Sequence, residues 1–232
     1  MTTPMPAPPF VPGAVLRSPV KLGRATAVLL SVVAAADVFG CYADLLERNV
    51  AGDVADGARG VGVVQRADHA DAVYAWAGFV QEWALVATAV VYLCWLWRVR
   101  VNAEVFDQSA HDLGRGWTIG AWFCPIVNLW FPRRIVLNVW DASVPWGEPY
   151  RHRAVNAWWT LWIISILTSW LAYTSWGQAH TARLLYGAAG QMLFSDMVDS
   201  AAAVLAIVVV VRLTRMQDRK ALAGPLPAPV LG

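Results

Sequence analysis

Five carboxylates lie inside long apolar runs, where an ionised side chain is expensive. Asp37 and Asp44 fall in the run 25–46, Glu82 in 72–97, and Asp196 and Asp199 in 191–211. A charge at the centre of a bilayer costs ~2.5–3.5 kcal/mol even on lenient insertion scales, so such a group faces protein or water. The spacing fits that rule. Asp37, Cys41 and Asp44 stand at i, i+4 and i+7, one helical stripe. Asp199 follows Asp196 by three, with Ala202, Ala203 and Ala206 continuing the face, and Glu82 shares its face with Ala75, Gly78 and Ala89. Small residues let helices approach closely. Asp37, Glu82 and Asp199 also lie at similar depth, ~12–15 Å from the ends of their runs by helical rise. Asp37, Glu82, Asp196 and Asp199 are therefore the candidate intramembrane polar cluster. No Lys or Arg within a run neutralises it, so adjoining carboxyls must share a proton or bind a cation. That is the chemistry of a proton or cation path. The plainer alternative is neutral carboxyls hydrogen-bonded to Ser165 or Thr168 of a neighbouring helix.

A second constellation pairs aromatic and basic residues. Trp117, Trp122, Trp130, Trp140 and Trp146 suit a belt at headgroup level, and Arg133, Arg134, Arg151 and Arg153 beside them could hold anionic lipid phosphates. Trp117, Trp122, Pro125, Asn128, Trp130, Pro132, Arg133, Arg134 and Trp140 form the candidate lipid- or partner-contact element, with plain anchoring as its bland reading. Other chemistry finds little support. There is no Walker loop, no GxGxxG, no HExxH and no GxSxG. Cys41, Cys94 and Cys124 lack CxxC spacing and sit in apolar segments, the pattern of packing thiols, with palmitoylation of Cys94 or Cys124 as a minor reading. The histidines, His69, His111, His152 and His180, fall between the runs as ordinary solvated residues. No cofactor or metal is expected, and the short basic groups do not make a nucleic-acid face.

These residues need elements to hold them. With 58% hydrophobic and 15% charged residues, against about 25% charged in soluble domains, the 232-residue chain reads as an integral membrane protein. Four runs have spanning length: 25–46, 72–97, 157–176 and 191–211. The segment 117–131 is too short for a straight crossing, and Pro125 breaks a helix near its middle. If 117–144 dips in and returns, all but Arg48, Arg59, Arg66 and Arg183 of the 18 Lys and Arg fall on one side. The positive-inside bias favours that arrangement. The expectation is all-α: a helical bundle of four transmembrane helices, plus a Pro-broken, re-entrant or interfacial Trp-rich element on the cytoplasmic side. It places a disordered Pro-rich arm at 1–20, a membrane domain at 21–215 and a flexible tail at 216–232, both termini cytoplasmic, in the plasma membrane. A signal peptidase site after Ala36, or a poor lipoprotein box ending at Cys41, is the alternative for the N-terminal run. It is set aside because the apolar pattern continues past both, so no cleavage after Ala36 is expected.

The stretch from Arg98 to Ser143 resembles the core of the actinobacterial family called domain of unknown function 4328. The residues that carry the likeness are Arg100, Asn102, Ala103 and Glu104, then Gly116-Trp117, Gly120, Trp122-Phe123 and Pro125, then Asn128-Leu129-Trp130 and Pro132, and finally Trp140 with Ala142-Ser143. The resemblance implies a multi-pass membrane protein of no established activity. Three functions stay open. The favoured one is a noncatalytic envelope or interaction protein whose cytoplasmic element contacts anionic lipid headgroups, a second copy or a protein partner. The second is a small proton, cation or solute transporter or channel component using the carboxylates. The third is a membrane-embedded enzyme acting on lipid or peptide, with aspartates as acid and base.

Overall fold

In α1 (Val20–Ala55), one stripe of residues that become buried recurs at steps of three, four or seven positions: Gly23, Thr26, Leu30, Asp37, Gly40, Asp44, Glu47 and Ala51. The last helix repeats this spacing with Ala188, Met192, Ser195, Ala202, Ala206, Val209, Leu213, Gln217 and Lys220. Both are coiled-coil seams built largely from small and polar residues. The computed structural model describes residues 16–145, 148–149 and 151–224, so Trp146, most of the Pro-rich arm and the end of the chain lie outside the described residues. It contains α1 (Val20–Ala55), α2 (Val61–Phe106), α3 (Trp117–Gly120), α4 (Phe131–Ser143), α5 (Arg153–Gly177) and α6 (Ala182–Ala223), with a 3-10 turn at Val127–Leu129 and no strand among the described residues.

Four helices, α1, α2, α5 and α6, are long and apolar enough to cross a membrane, and the described residues form an all-helical fold suited to a bilayer. Three of them run well beyond the expected spans. At 36, 46 and 42 residues, α1, α2 and α6 are roughly 54, 69 and 63 Å long against ~30 Å of hydrocarbon. The polar stretches 47–71 and 177–190 are therefore mostly helix, since charged side chains continue a helix once it leaves lipid. The end of the membrane domain also differs from expectation. Residues 216–223 extend α6 rather than begin a tail, and Gln217 and Lys220 are buried.

α1 packs between α2 and α6, and α5 packs on the far side of α6. The α1–α6 pair is antiparallel and close along its length. A Cβ at Gly23 would collide with Thr214, at Gly40 with Asp196, and at Gly190 with Arg48. α2 and α5 meet through rings: Tyr74 stacks on Trp176 at 4.7 Å, and Tyr92 lies 6.5 Å from Trp158.

The segment 117–143 closes one end of the bundle. α3 stops at Gly120, and turns around Pro125 lead to the 3-10 turn. α4 then starts with Pro132 in its first turn, a position where proline costs no hydrogen bond. Its buried stripe is Pro132, Ile135, Val136, Val139, Trp140 and Ser143, which joins the core against α2, α5 and α6. This end, where α2 finishes, α5 begins and α6 finishes, carries most of the basic residues and is called the basic end below.

Candidate functional site

Halfway along the bundle, Gln81 of α2 donates from its one amide nitrogen to Asp37 Oδ1 of α1 at 3.3 Å and to Asp196 Oδ2 of α6 at 3.1 Å. The two carboxyls thus sit within a few ångströms of each other. Gly40, one turn from Asp37, makes room for both Asp196 and Gln81. Asp199, one turn from Asp196, accepts from Ser169 of α5 at 3.2 Å and from Ser195 at 3.4 Å, and these two hydroxyls are themselves 2.9 Å apart. The centre is therefore assembled from all four long helices.

From there a line of acids follows α1 away from the basic end. Asp44 is buried, with 2% of its surface exposed, and lies near both Asp196 and Glu47. Glu47 is buried in turn and meets the Asp71 carboxyl of α2. Among the described residues no Lys or Arg forms an ion pair with any of these acids. Arg48, the nearest by sequence, instead lies over the Tyr186 ring at 4.0 Å and donates to its hydroxyl at 2.7 Å. Asp37 Oδ2, Asp44 Oδ2 and Glu47 Oε1 are buried without a hydrogen-bond partner. Buried oxygens of this kind require a proton, water or a cation. Among the described residues no group of His, Cys, Asp and Glu has the geometry to hold a metal ion.

Of the four acids singled out from sequence, the structure brings Asp37, Asp196 and Asp199 together and leaves Glu82 apart. Glu82 is exposed on α2, as are Ala75, Gly78 and Ala89 on its face. The buried stripe of α2 instead runs through Ala70, Ala77, Thr88, Trp95, Val99 and Asn102, and Gln81 projects on that side. A one-residue step turns a helix by 100° and separates Gln81 from Glu82. Gln81, Gly40, Ser169, Ser195, Glu47 and Asp71 were not selected from sequence. A lone Gln in an apolar run, at the period of Ala77 and Thr88, was the available signal. Thr168, a candidate partner for the acids, donates to its own helix backbone, whereas Ser165 donates to the Trp162 carbonyl and also lies against the Asp199 carboxyl.

At the basic end a network of buried polar groups is matched, although His111, Thr118, Trp122 and Asn128 nearby each keep a buried polar atom without a partner. Asn102 accepts from the Arg17 amide, and its Nδ2 donates to the Arg17 carbonyl and to Gln217 Oε1. Gln217 Nε2 donates to the Val99 carbonyl and Ser143 Oγ. Lys220 Nζ donates to the carbonyls of Ala142 and Val144, capping α4, and burial holds its ammonium below the ordinary lysine range. Arg100 donates to Glu104 at 2.5 Å and to the Leu113 carbonyl at 2.8 Å, while Arg115 pairs with the other Glu104 oxygen. Arg134 and Asn138 hold Asp112, keeping its carboxyl below the usual range.

The candidate contact element divides. Trp140 and Pro132 are buried, and Trp122 packs among Tyr92, Trp159 and Trp162. Trp117 and Trp130 remain exposed, with Ile119, Phe123, Ile126 and Leu129 around the Pro125 turn. Asn128 is half-buried, its amide oxygen unpartnered. Arg133 is held by Asn156 and Arg134 by Asp112. The family model described as Domain of unknown function (DUF4328) matches residues 61–215, from α2 into α6. No curated protein and no solved structure matches the chain.

Proposed function

Because the chain belongs to the Domain of unknown function (DUF4328) family, whose name carries no activity, we propose from its own geometry that it is a proton-binding component of a transporter or channel. Protons enter along Asp71, Glu47 and Asp44 and are held at Asp37, Asp196 and Asp199. The observation that carries this reading is Gln81 bridging two carboxyls from different helices with no cation beside them. Two adjoining carboxylates in low dielectric favour one shared proton. The split of basic residues supports cytoplasmic termini in the plasma membrane, which turns the open end of the acid line outward.

Flux through full-length protein in liposomes, read by an internal pH dye under an imposed potential, tests the proposal. Wild type is expected to conduct or to couple protons, and Asp37→Asn and Asp199→Asn to abolish this while preserving the bundle. Glu82→Gln is expected to leave it intact. Wild-type flux equal to that of empty liposomes, or full flux in both Asn variants, overturns the reading.

A second reading, a noncatalytic protein that contacts anionic lipid through its Trp and Arg element, is favoured by the exposed Phe123, Ile126, Leu129 and Trp130 around Pro125. Contact of Trp122 with Tyr92 and Trp162, well inside the apolar runs of α2 and α5, supports a re-entrant course for this segment. Single cysteines at 148 should then be labelled only from the cytoplasmic side, and those at 58 and 179 only from outside. Labelling of 148 from outside sinks this topology.

A further inference from the structure

Beyond the carboxylates, a cleft of about 400 Å³ opens at the basic end between the last turns of α2 and the loop that follows. Arg100, Glu104, His111 and Arg115 line it, with Asp112 and Gln108 at the rim. Its unused hydrogen-bonding capacity is mostly donor. Both Glu104 oxygens are occupied, one by Arg100 and one by Arg115. Asp112 is turned toward Arg134 and Asn138. Arg115 meets Glu104 through Nε, which leaves its two terminal nitrogens for something else. His111 lies near the Ala103 carbonyl without forming a well-aligned bond, and both its ring nitrogens are buried with no partner. Arg100 and Arg115 share the Glu104 carboxylate, and Asp112 is turned to Arg134, so both lining carboxylates are already engaged; the nearby Asp107 carboxylate tempers the positive charge that this leaves. The carbonyls at the end of α2 oppose this in part.

We propose that this cleft binds a phosphate-type oxyanion, gripped by the Arg115 terminal nitrogens and steered by the buried Arg100 charge, with the His111 ring, buried beneath the opening, turning an N–H toward it. A guanidinium edge matches two phosphate oxygens, and an imidazole N–H supplies a third donor. The cleft lies one turn past Trp97, where the apolar run of α2 ends, so its anion comes from a lipid headgroup or from free phosphate at the same level. The inference is independent of the proton reading, because none of these residues belongs to the acid line.

Calorimetric titration of the full chain in phosphatidylcholine nanodiscs separates the two sources. Inorganic phosphate and dihexanoyl phosphatidic acid are the probes, and at least one should bind saturably with one site per chain. Binding of both identifies a phosphate site, and binding of the lipid alone identifies a headgroup site. His111→Leu and Arg115→Gln should each weaken the interaction about tenfold or more, the effect of one lost charge-assisted hydrogen bond. His111 has no well-aligned partner to lose, so its variant is expected to melt with wild type well above pH ~6.5, where the titration is run, and to report on binding rather than folding. If neither probe binds wild type, or if both variants bind as wild type does, the proposal is overturned.

Discussion

Two buried polar networks, one in each half of the bundle, are completed in opposite ways. At the basic end, Asn102, Gln217, Lys220, Arg100 and Glu104 are deeply buried, yet each is matched. In the other half, Asp37, Asp44 and Glu47 are as deeply buried, and each leaves an oxygen without a partner. A fully matched network rigidifies and specifies one packing. An unmatched one costs stability and persists where it does something else. On the proton-binding proposal, the difference separates a fastening from a working site, although both are polar interiors of one helical bundle.

The sharpest way to break the comparison is at Glu104. With 4% and 9% of their side chains exposed, Arg100 and Glu104 form a buried pair. Glu104→Gln leaves Arg100 uncompensated, and a loss of about 3–5 kcal/mol is expected. Thermal unfolding in detergent measures it, and a change below ~1 kcal/mol would mean the end is not a fastening. Asn102→Ala comes next. It removes the bonds to Arg17 and strands Gln217, for an expected loss of about 2–3 kcal/mol.

The acidic half should respond in the other direction. Asp44→Asn replaces a buried carboxyl that no cation balances with a neutral amide of the same shape, so stability should stay within about 1 kcal/mol of wild type or rise, while proton flux falls. Gly40→Ala should likewise keep the helix, since alanine is the better helix former by about 0.5–1 kcal/mol, yet push Asp196 and Gln81 off Asp37 and lower flux. A large loss of stability in the Asn variant would show that the acids are structural too.

The smallest effect concerns pH. Burial, with Arg100 beside it, holds His111 below the ordinary histidine range, against the pull of Glu104, Asp107 and the Ala103 carbonyl. A depressed folded value means the unfolded chain takes up the proton first. His111 therefore costs nothing well above the unfolded value of about 6.5 and erodes stability as pH falls through it. His111→Leu should remove that erosion, so melting curves of variant and wild type should diverge below about pH 6.5 in favour of the variant.

Sequence alone determined that this is a membrane protein of four long apolar helices with an interrupted segment between the second and third. Hydropathy and length decide those features locally, because a backbone in lipid must satisfy its own hydrogen bonds and only the helix does so within one segment. It also singled out Asp37, Glu82, Asp196 and Asp199 for a common interior, because the cost in lipid is a property of each residue; Glu82 is the one left on an exposed face. The helix ends were legible less well, since polar side chains extend a helix past the bilayer as readily as they end it. Only the tertiary structure decided which face of α2 turns inward. Ala75, Gly78 and Ala89 look like an interface and are exposed, whereas Gln81 is chosen because the stripe of Ala77, Thr88 and Trp95 packs on α1. It alone also decided that Asn102 meets Gln217 and Glu104 meets Arg115. Such pairings join residues that nothing in the local pattern relates, and only the crossing of the helices puts a donor opposite its acceptor.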